Sequence, residues 1–172
     1  LKANDFTISA PEGVSSVRAK VIGVIENQAP TKSLEFDLPV EDGNVQITEG
    51  VAYLSLVERH RGTGSVTNGF VSGFGYTGSM AIASSVAHDS HHMIVVGTDR
   101  KLMAAAANRL GEVGGGVTLW KDDAERALVE LPIAGLMSDS QAAEVANKAQ
   151  AIISAMIDCG CSLNNAYMQH TL

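Results

Sequence analysis

Three of the chain's five histidines fall within the run His88-Asp89-Ser90-His91-His92. Imidazole exchanges protons near neutral pH and ligates metals, so a turn converging these rings beside the Asp89 carboxylate could do acid–base work. The competing reading is a solvated polar turn. Metal binding is the weaker reading, because H-x-x-H outside a helix is unspecific and no further ligand set accompanies it. A second cluster, Glu58-Arg59-His60-Arg61-Gly62-Thr63-Gly64, sets charge at the end of an apolar segment. Its two glycines would let backbone approach a ligand, although a charged strand end followed by an ordinary turn has the same composition.

Other motifs carry less. Gly73-Phe74-Gly75-Tyr76-Thr77-Gly78 matches G-x-G-x-x-G, but a dinucleotide fingerprint must open a helix, and β-like sequence follows here. Gly114-Gly115-Gly116 follows a predicted helix instead of preceding one, the wrong side for a phosphate cradle. Ser84, Ser85 and Ser90 lie near His88 in sequence, yet no G-x-S-x-G elbow is present. The zinc-deaminase pattern of H-x-E with P-C-x-x-C is also missing. Cys159 and Cys161 form a lone C-x-C, half of a thiolate metal site and a strained disulfide at best, so both are expected to be free thiols in a reducing compartment.

These residues need a scaffold, and composition allows one. The 172 residues are 45% hydrophobic and 18% charged, a globular balance with a core of aliphatic residues, since aromatics make up only 5%. The net charge of −7 and the lack of a basic stripe argue against nucleic acid. No apolar run reaches the roughly 18 residues of a membrane span, and no signal peptide is visible, which predicts a cytoplasmic protein. The sequence lacks an initiating Met, and residues 163–172 end without a stop signal on an apolar residue; a fragment is expected.

Apolar patterning predicts strands over residues 17–26, 34–40, 45–48, 51–59, 70–74, 80–87, 93–97, 117–120 and 128–131. Asn68-Gly69 reads as a turn. Thr98 or Asp99 can cap a helix whose apolar stripe is Leu102, Met103, Ala106 and Leu110. Residues 93–120 then form a strand–helix–strand unit, expected to cross over right-handed and pair in parallel. Ser138 and Gln141 suggest a capping box for a second helix, closed by Gly160. The expected fold is α/β (α+β): one compact domain over residues 1–172, with a mixed, mainly antiparallel β-sheet flanked by α-helices.

Several stretches together resemble one family: VIGVI at 21–25, VERHRGTG at 57–64, GFG at 73–75, ASSVAHDSH at 83–91, IVVGT at 94–98, Asn108-Arg109, GGG at 114–116 and LPIAGLMSD at 131–139. In this order they resemble the C-terminal domain of the bacterial and archaeal adenine deaminases of the amidohydrolase superfamily, over nearly the whole chain. Arg61 and His92 depart from the family pattern, which would place His and Asn there. The resemblance implies hydrolysis of adenine to hypoxanthine and ammonia in purine salvage. It also implies a partner barrel domain holding divalent manganese or iron, whose ligands have no counterparts in this sequence, and a homo-oligomeric enzyme. The chain alone is predicted inactive, with no cofactor or metal residues of its own. Supporting catalytic candidates are His88, Asp89, His91 and His60, on a domain that caps the barrel's active site or mediates oligomerisation. The alternatives are a purely structural domain and a free-standing small-molecule-binding module at Gly97-Thr98-Asp99, where Asp99 itself disfavours an anion.

Overall fold

The computed structural model describes residues 1–164 and 166–171. Among these, nine strands form one sheet: β1 (Ser16–Gly23), β2 (Lys32–Glu41), β3 (Asn44–Val45), β4 (Val51–Val57), β5 (Val66–Ser72), β6 (Met80–Ser84), β7 (Met93–Gly97), β8 (Gly116–Lys121) and β9 (Ala124–Glu130). Their order is β3-β2-β1-β5-β4-β7-β6-β8-β9. β1 and β5 are parallel, and the other neighbours are antiparallel. The helices are α1 (Arg100–Val113), α2 (Ala142–Asp158) and the short α3 (Ala166–Gln169). The mixed, mainly antiparallel sheet with flanking helices is thus as the sequence predicts. Residues 165 and 172, both in the closing stretch 163–172, lie outside the described residues.

Alternation along the strands sends side chains to opposite faces, and each face meets a helix. On one face Tyr53, Ala81, Ala83 and Val95 pack with Leu102, Met103, Ala106 and Leu110 of α1. This is the predicted stripe, and burying each large side chain contributes roughly 1.5–3 kcal/mol. On the other face Ile82, Leu119 and Val129 pack with Ile152 and Met156 of α2. Gly97 lets α1 approach: a Cβ there would meet Met103 Cγ and the Met80 carbonyl oxygen, each at 2.8 Å.

Asp99 caps α1, its carboxylate accepting from the backbone N–H groups of Lys101 and Leu102. The helix ends at Gly114, whose φ of 84° opens a run of three left-handed glycines. At Gly116 any Cβ would collide with the Val129 carbonyl oxygen of β9, so these glycines are required where β8 leaves the helix and joins its hairpin partner.

Three expectations need correction. β7 and β8 do not pair in parallel: β6 inserts between them, antiparallel to both. The preceding hairpin strand, β6, had already taken β7's free edge. The Ser138–Gln141 capping box does not form. Ser138 Oγ accepts from the Ser140 N–H, and Gln141 is itself the residue before the helix, with no side-chain cap. Asn68-Gly69 is not a turn but lies inside β5, opposite Ser55 and Leu54. The Asn68 amide is held there by Ser55 Oγ and by the carbonyls of Asp5 and Thr7, tying the N-terminal segment to the sheet.

Candidate functional site

Both histidine clusters come to one end of the sheet because β4 and β7 are antiparallel neighbours. Val57, the last residue of β4, sits opposite Met93, the first of β7. The segment leaving β4 (residues 58–65) therefore lies beside the segment entering β7 (residues 85–92). The start of β8 is also at this end, since Ser84 pairs with Val117. Residues 131–138, which follow β9, complete the edge.

The loops are locked by backbone-directed bonds. Arg59 donates from Nε to the His91 carbonyl at 2.7 Å and from Nη2 to the Ala134 carbonyl at 2.8 Å. His91 and Ala134 both have left-handed backbones, with φ of 50° and 58°, a conformation costly for non-glycine residues that the surroundings must hold. One guanidinium thus clamps the two strained bends. Gly135 follows with φ of 74°, and a Cβ on it would meet the Arg59 guanidinium at 2.8 Å. Beneath them Ser85, fully buried, donates to the Gly135 carbonyl at 2.6 Å and accepts from the Gly116 N–H at 2.7 Å. Ser85 is therefore a buried anchor, unsuited to act as a nucleophile.

His60 is exposed, and its Nε2 lies 2.8 Å from the Ser90 carbonyl. A carbonyl only accepts, so Nε2 carries a proton and donates it; in the neutral tautomer that this bond selects, Nδ1 is the acceptor. The ring centroids of His60 and His92 are 4.7 Å apart, and those of His88 and His91 are 5.6 Å apart, edge to face. His88 is exposed, with its backbone N–H bonded to the Thr171 carbonyl; His91 is half-buried. Asp89 is exposed beside them. Nδ1 of His91 and of His92 are buried and have no hydrogen-bond partner among the described residues. Such atoms call for a partner outside the loop, since a buried polar nitrogen left unpaired is costly. Glu58 supports the first loop, accepting from the Arg61 N–H, the Thr63 N–H and Thr63 Oγ1. The Thr63 and Arg61 amides and the Thr63 hydroxyl hold its carboxyl at a pKa of about 2.

The candidates His60, His88, Asp89 and His91 thus lie in two abutting loops. His92, Arg59 and the 132–137 segment join them. Among the described residues, no three His, Cys, Asp or Glu groups are placed to hold a metal ion. What the edge offers is hydrogen-bond donors and acceptors, with exposed Ile133 and Met137 beside them on the clamped loop. Arg59 was legible as part of a charged cluster, but nothing in the sequence marks it as the clamp. Cys159 and Cys161 are free, as expected; both are also buried, and burial raises both thiol pKa values. Among the described residues, no helix is long and apolar enough to cross a membrane.

Residues 28–172 match the family described as adenine deaminase C-terminal domain. An adenine deaminase of Roseobacter denitrificans is 71% identical over 172 residues, covering 100% of this chain and 29% of its own length. One from Ruegeria pomeroyi is 69% identical over 175 residues, again 100% of this chain and 29% of its own length. One from Paracoccus denitrificans is 64% identical, covering 100% of this chain and 28% of its own length. The chain therefore spans less than a third of the relatives it matches.

Proposed function

Since the chain belongs to the adenine deaminase C-terminal domain family, we propose that it is the accessory domain of an enzyme hydrolysing adenine to hypoxanthine and ammonia. Its His60–His88–His91 edge faces the substrate pocket, which the remainder of the polypeptide builds. One observation carries this reading: two histidine-bearing loops meet at one exposed sheet end, clamped by Arg59 onto a third loop that presents Ile133 and Met137. Apolar side chains at the rim of a polar cluster suit a surface that another domain covers. Closure would exclude water and strengthen the hydrogen bonds these rings make to a purine or to its leaving ammonia.

The divalent manganese or iron of such an enzyme belongs to the remainder of the polypeptide, in a barrel domain; among the described residues no three His, Cys, Asp or Glu side chains are placed to hold one. When bound, such an ion would lower the pKa of a water molecule and so supply the hydroxide for attack on the ring. The role of this chain's own residues is to donate and accept hydrogen bonds: His60 Nδ1 is open to accept, and the His91 and His92 Nδ1 atoms await partners. Two buried free thiols fit a reducing, cytoplasmic setting.

The test compares ammonia release from adenine, with manganese supplied, by residues 1–172 alone and by the full-length enzyme. The full-length enzyme is expected to release ammonia and the isolated chain none. Release by the isolated chain would mean that the histidine edge forms a catalytic site by itself, overturning the division of labour.

A further inference from the structure

The two faces of the sheet are not equally covered. α2 lies over β8 and β9, and the other half of that face, built by β1, β5, β4 and β7, has no helix of comparable length among the described residues. Ile22, Leu54, Val71 and Ile94 floor a cavity of ≈ 330 Å³ there, with Phe74 and His170 on its wall. The floor runs on past the cavity. Leu56 stands opposite Ile94 on the paired strands, on the same face as Leu54. Ile22 is 43% and Leu56 38% exposed. An apolar surface of this kind, exposed at Ile22 and Leu56 and half-buried at Leu54 and Ile94, is rarely left to solvent.

His170 walls one side of the cavity. Its side chain is 2% exposed, yet neither ring nitrogen has a partner among the described residues. The Phe74 ring stands 6.0 Å away.

We propose that this trough is the docking site for an apolar segment of the same polypeptide outside residues 1–172. The length relation supports that occupant, since relatives matching the whole chain devote only 28–29% of their length to it, so most of the polypeptide is available to fill the trough. The inference goes beyond the proposed activity and stands whether or not the histidine edge reaches adenine.

The experiment uses the full-length enzyme with Leu56→p-benzoylphenylalanine and, separately, Ile94→p-benzoylphenylalanine, each photo-crosslinked and mapped by mass spectrometry. Cross-links within one polypeptide, to residues outside 1–172 and insensitive to dilution, are expected. Cross-links only between two copies, only within residues 1–172, or none at all would overturn the proposal. Carbene footprinting of the unmodified enzyme avoids any folding defect of the variants. Ile22 and Leu56 should label at least five-fold less than Val14, which is 39% exposed in this chain; equal labelling would refute the proposal.

Discussion

Ser85 connects three parts of the candidate site, and its removal has a calculable effect. In Ser85→Ala the Gly116 N–H loses its 2.7 Å acceptor and the Gly135 carbonyl its 2.6 Å donor. Both bonds are buried, and the space around them is already tight: a Cβ on Gly115 would meet Ser85 Oγ at 2.9 Å and Gly135 Cα at 2.5 Å. Each buried group left without a partner costs about 1–3 kcal/mol, so the two together cost about 2–4 kcal/mol, allowing for partial relaxation. That loss falls on the start of β8 and on the 132–137 loop, not on the whole molecule, so local opening is the quantity to measure. Hydrogen exchange by mass spectrometry on the full-length enzyme would follow peptides covering residues 111–119 and 131–138. At about 1.36 kcal/mol per decade, exchange at Gly116 should accelerate by about 30-fold or more. An acceleration under about three-fold would refute the reasoning that Ser85 holds the loops in place.

Other consequences are as direct. Gly116→Ala forces a Cβ into the Val129 carbonyl at a φ of 138°, so it should lower the melting temperature more than Gly111→Ala, where nothing lies within 4 Å of the added carbon; thermal denaturation of both variants decides. Burial lowers the His170 pKa from 6.5 to about 4. The unfolded chain therefore binds the proton first as pH falls, and stability present above about 6.5 is lost down to about 4. The loss amounts to roughly 2 kcal/mol between pH 8 and pH 5, and the pH slope of stability should be shallower by that amount in His170→Gln; identical slopes would contradict the burial. Cys159 and Cys161, buried with raised thiol pKa values, should react with maleimide only on unfolding, and reaction of both at the rate of a free thiol would show that the α2 end is open.

The apolar alternation in β4 and the stripe of α1 were legible because each is read by local periodicity and buried by the simplest packing. The histidine loops were legible as sequence clusters. Their convergence was not, because it depends on β4 and β7 being neighbours, which is settled by strand order. Asn68-Gly69 was misread for the same kind of reason: its turn chemistry is overridden by Asp5 and Thr7, over sixty residues away in the chain. Ser85 and Arg59 act through backbone carbonyls of distant loops, and no side-chain pattern encodes such a partner. His170 stands alone in sequence, so its importance rests entirely on the trough that buries it.

If the histidine edge acts on adenine from outside the metal centre, as proposed, kcat/KM for adenine in full-length His88→Ala and His91→Ala should fall at least ten-fold in one or both, with the metal content and the melting temperature retained. Unchanged kcat/KM in both variants would contradict the proposal and leave the domain a structural role.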